Sequence, residues 1–167
     1  MAGPQPDIDA KTMSAQLRPG WAILPMHVSQ LPQILEIERR AYPFPWTETI
    51  FRDCLRASYS AWVLIDVSGN IAGYAFMSMA LDEAHVLNIC VDPDHQRCGF
   101  GFKLLKHLLK LARMAQATIV LLEVRKSNKP AQKLYESMGF QRLGVRKNYY
   151  PAQDGREDAL VLGYDIV

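Results

Sequence analysis

Glu123 is the residue of this chain that most needs a reason. It follows Ile119-Val120-Leu121-Leu122, an apolar run of the kind that a sheet covered on both faces buries. A carboxylate at the end of such a strand either pairs with Arg125 or another base, or does chemistry. A second feature is Gln96-Arg97-Cys98-Gly99-Phe100-Gly101, which joins a strand-like segment to a helix-like one. Amides at a helix start are unpaired and the helix dipole favours anions, so a phosphate or pyrophosphate is the natural guest. Glycines at 99 and 101 remove Cβ atoms that would hold a bulky anion away, and they permit positive φ. The turn carries neither G-x-x-x-x-G-K-[ST] nor G-x-G-x-x-G. On these residues alone, ligand binding and a plain tight turn both remain open.

The elements that would hold these residues follow from periodicity. A short strand around Ala22 to Leu24 precedes a helix that begins with Leu31, Ile34, Leu35 and Glu38 and ends before Tyr42-Pro43-Phe44-Pro45-Trp46. A second helix runs from about Thr47 to Arg56. Ala61 to Val67 and Ile71 to Met79 read as a hairpin around Ser68-Gly69-Asn70. His85 to Val91 is a strand closed by Asp92-Pro93-Asp94, and Gly99 to Ala115 switches to helical spacing with Leu104, Leu105, Leu108, Leu111 and Ala112 inward. Thr118 to Val124 is a strand and Asn128 to Met138 a helix stopped by Gly139. Strands near Gln141 to Tyr149 and Asp158 to Tyr164 close the chain. The order implies an α+β (α/β) class with a mixed sheet, whose central crossover buries one helix against each face.

Composition narrows the function classes. At 167 residues, 49% of them hydrophobic, the chain suits one domain over residues 20–167, preceded by a proline-containing flexible leader at 1–19. No apolar stretch approaches the roughly 20 residues needed to span a bilayer. The start lacks the pattern of a secretory signal or transit peptide, so a cytoplasmic location is expected, without a membrane partner. A net charge of +2 is too small to indicate direct nucleic-acid binding, and the row Lys103, Lys106, Lys110 and Arg113 reads as a solvated helix face. Cys54, Cys90 and Cys98 lack C-x-x-C spacing, which suggests neither a disulfide framework nor a zinc site. His27, His85, His95 and His107 show no metal spacing and read as surface or satisfied strand histidines.

Q-x-x-G-x-G at 96–101, preceded by Asn88-Ile89-Cys90-Val91-Asp92-Pro93, resembles the acetyl-CoA motif of the GNAT acetyltransferases. Within that superfamily, several groups of residues resemble the RimI-type ribosomal-protein-alanine N-acetyltransferases. They are Leu122-Glu123-Val124-Arg125, Ser127-Asn128, Ala131, Leu134-Tyr135-Glu136 and Gly139-Phe140. Tyr42 to Trp46, Asp82-Glu83-Ala84, Asn148 to Pro151 and Asp154 to Asp158 extend the likeness, which spans about Leu31 to Leu162.

The resemblance implies a GNAT fold, with about six to seven strands and about four helices on both faces. It also implies that the amides of Gln96, Arg97, Cys98, Gly99, Phe100 and Gly101 hold the pyrophosphate of acetyl-CoA, with side-chain identity at Cys98 and Phe100 mattering little. Ile89, Cys90 and Val91 would pair with the pantetheine arm like an added strand, and Asn128 would contact the cosubstrate. Glu123 would be the general base and Tyr135 the proton donor to the departing thiolate. Phe44, Trp46, Tyr149 and Tyr150 would approach the acceptor peptide. No metal is implied.

Each role has a structural alternative. Asn128 is a competent helix N-cap and Tyr135 a candidate core aromatic at helical spacing. Cys98 is a thiol at a helix start without an evident histidine partner. Burial is expected to raise the Glu123 pKa toward the working pH. An α-amine with pKa ~8 is already about 10% neutral at pH 7, so an N-terminal acceptor needs only a modest base. The expected activity is therefore direct acetyl transfer, in a ternary complex, to the N-terminal alanine of a small-subunit ribosomal protein. An acetyltransferase for lysine or a small amine, and a non-catalytic acyl-CoA-binding module, are the alternatives.

Overall fold

In the computed structural model, which describes residues 19–166, the apolar runs become strands and the amphipathic segments become helices. In chain order these are β1 (Trp21–Pro25), α1 (Leu31–Ala41), α2 (Glu48–Arg56), β2 (Ser60–Asp66), β3 (Ile71–Ala80) and β4 (Glu83–Val91). They continue with α3 (Phe100–Met114), β5 (Ile119–Arg125), α4 (Lys129–Ser137), β6 (Gln141–Ala152) and β7 (Gly155–Asp165). Short 3-10 turns at Val28–Gln30 and Pro93–His95 lead into α1 and toward α3. The expected leader lies, but for its last position, outside the described residues.

The strands form one mixed sheet in the order β1-β2-β3-β4-β5-β7-β6. Only β4 and β5 run parallel, because α3 crosses over between them; all other neighbours are antiparallel. The β2–β3 hairpin closes on Asp66, whose Oδ1 accepts the amides of Ser68 and Asn70 at 2.9 Å each, with Gly69 at a φ of +84°.

Helices cover both faces, two on each. Leu104, Leu105 and Leu108 of α3 and Tyr135 of α4 share one buried cluster with Val120, Leu122 and Val124 of β5. Leu31, Ile34 and Leu35 of α1 and Phe51 of α2 share another with Tyr74 and Phe76 of β3. The crossover thus puts its helix on the same face as α4, and α1 and α2 cover the other, which corrects the expectation of one crossover helix per face. At roughly 1.5–3 kcal/mol for each fully buried Leu or Phe, these two clusters are the main cohesive term of the fold. Gly73 lets α3 close on the sheet, since a Cβ there would lie 2.8 Å from the Cys90 carbonyl oxygen and 3.1 Å from Leu104 Cδ1.

Two features make room for a site. First, β4 and β5 stay paired only from Glu83 and Ile119 to Val86 and Leu122, and part beyond that point. Second, β4 carries one extra residue at the parting: Phe76 of β3 faces Asn88 while the next residue, Met77, faces Val86. Leu87 is the bulged residue. It packs against the α1/α2 cluster, and Asn88 points the same way to Glu38, whereas Val86, Ile89 and Val91 pack toward α3.

Candidate active site

A cleft of about 580 Å³ opens where β4 and β5 part. It runs through the sheet. Glu123, on the α1/α2 side of β5, lines it together with Phe44 and Trp46 of the α1–α2 connection; Tyr135 and Asn128 line it from α4 on the opposite face. The two residues expected to do chemistry therefore meet one opening from its two sides.

Glu123 has two partners, and Arg125 is neither of them. Its Oε2 lies 2.5 Å from His85 Nε2, on the neighbouring strand, and its Oε1 accepts from Arg146 Nε of β6 at 3.2 Å. The His85 hydrogen bond, helped by the charge of Arg146, holds the carboxyl below the usual range despite burial acting the other way. This reverses the expectation that burial would raise it. The side chain is 10% exposed and ionised, with a face toward the cleft.

Tyr135 is buried, with its ring 5.8 Å from that of Phe140, so the core reading and the cleft position hold together. Burial pushes its hydroxyl up to about 12, and it keeps its proton through the neutral range. Asn128 caps α4, its side chain accepting from Ala131 N at 3.2 Å, and it also faces the cleft.

The turn from Gln96 to Gly101 lies off this cleft, at the start of α3. Gly99 takes φ +78° as the helix N-cap, and Arg97 takes +62° without being glycine. No side chain caps α3, while Thr47 caps α2 and Asn128 caps α4. Nothing lies within 4 Å of a Cβ built on Gly99. An uncapped 15-residue helix with open space at its N-cap suits an anionic group. Gly101 serves packing instead: a Cβ there would lie 3.3 Å from Leu134 Cδ2 of α4. Phe100 is 4% exposed, with its ring 5.0 Å from that of Trp21, so its side chain serves the core while its amide belongs to the turn. Cys98 is half-buried with Sγ 3.7 Å from the Gln96 carbonyl oxygen.

The strand expected to face pantetheine is partly engaged already. The Tyr42 hydroxyl donates to the Ile89 carbonyl at 2.9 Å, and Gln96 Nε2 to the Val91 carbonyl at 3.4 Å. The Cys90 side chain is buried on the α1 side, and its thiol is pushed up to about 12 mainly by that burial.

Of the four expected acceptor aromatics, Phe44, Trp46 and Tyr150 line the cleft and Tyr149 does not. Trp46 also packs on Phe51 at 5.3 Å, so it is partly core. Tyr149 meets the Tyr150 ring edge-on at 4.9 Å. This pair sits on an irregular stretch of β6, where Arg146 faces Ala159 and Tyr150 faces Glu157. Asp158 accepts the Asn148 amide at 3.0 Å, and Arg156 donates to the carbonyls of Asn148 and Tyr149 at 2.8 Å each. Arg125 crosses the mouth: it donates to Glu157 at 2.9 Å and to the Pro151 carbonyl at 2.7 Å, close to the Phe44 and Tyr150 rings.

Periodicity placed Glu38 on the inner face of α1 with Leu31, Ile34 and Leu35 but gave no sign of its partners, nor of the roles of His85 and Arg146. Glu38 is 2% exposed yet accepts from Trp46 N at 3.0 Å, from the Tyr74 hydroxyl and from Asn88 Nδ2, which pins the aromatic loop to the sheet. Among the described residues, no group of three or more His, Cys, Asp or Glu could hold a metal ion, and no helix is long and apolar enough to cross a membrane.

The family model of the acetyltransferase (GNAT) family matches residues 31–140. The chain is 42% identical over 141 residues to the [ribosomal protein bS18]-alanine N-acetyltransferase of Escherichia coli K12, covering 84% of this chain and 95% of that protein. It is 34% identical to a putative enzyme of the same name from Bacillus subtilis, covering 87% and 95%. The crystal structure of the ribosomal-protein-S18-alanine N-acetyltransferase from Escherichia coli superposes with a TM-score of 0.82 at 41% identity, over 87% of this chain and 94% of that one. The parted strands, the uncapped helix behind its glycine turn and these matches agree: the chain belongs to the GNAT family of acetyltransferases.

Proposed function

We propose that this protein is an acetyl-CoA-dependent Nα-acetyltransferase acting on the N-terminal alanine of a small-subunit ribosomal protein, by direct transfer in a ternary complex. The observation that carries the reading is the through-sheet cleft, with an ionised carboxylate on one side and a protonated phenol on the other. The names of the relatives support the acceptor.

On this reading the pyrophosphate of acetyl-CoA lies against the turn from Gln96 to Gly101, and its thioester reaches the opening along Ile89 and Val91. Asn128 contacts the arm. The acceptor enters from the other face between Phe44, Trp46 and Tyr150. Its nitrogen bonds to the thioester carbonyl carbon, Glu123 takes the proton the nitrogen sheds, and the carbon–sulfur bond breaks. Tyr135 donates a hydrogen bond to the departing thiolate; a phenol at about 12 holds its proton more tightly than a thiol with pKa ~8.5, so stabilisation rather than full proton transfer is its main contribution. A carboxylate kept ionised suits an α-amine, which sheds its proton readily, better than a lysine. The acceptor N-terminus is then the partner, with neither nucleic acid nor membrane required, and the cytoplasm the place of action.

The test is mass spectrometry of an alanine-starting ribosomal peptide beside the same peptide with a blocked α-amine and a free lysine. Acetylation of the first alone is expected. Equal acetylation of the blocked peptide would overturn the acceptor assignment.

A further inference from the structure

His85 and Glu123 sit on neighbouring parallel strands, near the last paired rungs before the sheet opens. His85 faces Leu121, and Glu123 is two residues further along β5 on the same face. The 2.5 Å contact between His85 Nε2 and Glu123 Oε2 is therefore a product of sheet register, and it vanishes if either strand slips. Arg146 holds the other carboxylate oxygen from β6, on the far side of β7. With one oxygen tied to each neighbour, the carboxylate cannot turn without losing a charge-assisted hydrogen bond.

The two donors differ in what they can hold. The Arg146 side chain is 56% exposed, makes the longer bond, and also lies 5.7 Å from the Tyr149 ring. The His85 side chain is 37% exposed and carried by the strand that forms the cleft wall, yet the residue is not part of the cleft lining, whereas Glu123 is. His85 thus reaches the reaction only through Glu123. The titratable or charged groups facing Glu123 are His85 of β4 and Arg146 and Tyr150 of β6, with Glu38 of α1 on the same cleft.

We infer that His85 is a positioning residue for acetyl transfer: its ring N–H fixes the Glu123 carboxylate toward the acceptor. This rests on the reading of Glu123 as the base. A purely structural ion pair here would affect stability and nothing specific to turnover.

The experiment compares His85→Ala and His85→Gln with wild type and Glu123→Gln, as pH profiles of kcat on an alanine-starting peptide, with acetyl-CoA affinity measured by calorimetry. His85→Ala is expected to lower the plateau kcat about tenfold, part of the 10²–10⁴ that a positioned base supplies. Its acidic limb should move to higher pH, and acetyl-CoA affinity should stay within about twofold, a small effect next to a tenfold change worth 1.4 kcal/mol. His85→Gln, which keeps an N–H donor, should recover most of the plateau. In the Glu123→Gln background, His85→Ala should add nothing further. Wild-type plateau and limb in His85→Ala, or an undiminished His85→Ala effect in the Glu123→Gln background, would overturn the inference. Full turnover in Glu123→Gln alone would instead overturn the base assignment beneath it.

Discussion

The guanidinium carbon of Arg125 lies 4.5 Å from the centroid of the Tyr150 ring and 5.6 Å from that of Phe44. One side chain thereby ties the α1–α2 connection to the β6–β7 hairpin across the mouth of the cleft, while its hydrogen bonds to Glu157 and the Pro151 carbonyl hold it in place. Lysine has neither the planar fork nor the stacking face. Arg125→Lys is expected to raise the KM for acceptor peptide about tenfold, the loss of ~1.4 kcal/mol that one cation–π contact and one charged hydrogen bond can supply. Acetyl-CoA affinity should not change. Steady-state kinetics with each substrate varied separately would show it, and an equal loss for both would contradict it.

The pH behaviour of Glu123 has a definite sign. The folded-state pKa is depressed, first by the His85 hydrogen bond, so the carboxylate is ionised well below neutrality. Between pH 6 and 8, kcat/KM should therefore track the acceptor α-amine with pKa ~8 rather than the enzyme. A depressed carboxyl contributes stability that is present above its unfolded value of ~4.3 and is lost as pH falls through the folded value. The Tm difference between wild type and Glu123→Gln should accordingly shrink on acidification below pH ~4. A limb at pH 6–7 that persists when the acceptor amine pKa is changed would count against this assignment.

The two glycines of the turn should fail differently. Gly99→Ala meets open space but a φ of +78°, so the cost is conformational, about 1–2 kcal/mol, and falls on the amides at the start of α3. Weaker acetyl-CoA binding with little change in kcat is expected. Gly101→Ala presses on Leu134, the residue before Tyr135, and should lower kcat more than it weakens binding. Calorimetry and single-turnover rates on both variants separate the two outcomes.

Much of the fold was legible because burial follows period. The Leu104, Leu105, Leu108 and Leu111 spacing marked the inner face of α3, and the run to Leu122 marked a strand of a sheet covered on both faces. The same spacing, extended back four residues, reaches Phe100, and that signal would have identified it as core. Glu123 was conspicuous as a carboxylate on an apolar strand. Its partners were not, because His85 and Arg146 lie 38 and 23 positions away in the chain and meet it only through strand order. Arg125, two residues along, was the nearer candidate in sequence, yet in space it is taken by Glu157. Pairings across a sheet depend on register, and register is a property of the assembled strands.

The single extra residue in β4 has a further consequence. Because Leu87 and Asn88 both face α1, every residue after them is out of phase with those before. A deletion of Leu87 would leave composition almost untouched and keep Ile89 and Val91 toward α3 and Cys90 toward α1, yet it would remove the bulge and give β4 an unbroken alternation. Point substitutions along this strand change one contact at a time, while losing Leu87 would take away the irregularity that lies where β4 and β5 part. The doorway between the strands is in this sense a matter of counting: it coincides with one residue of β4 that its partner β3 does not match.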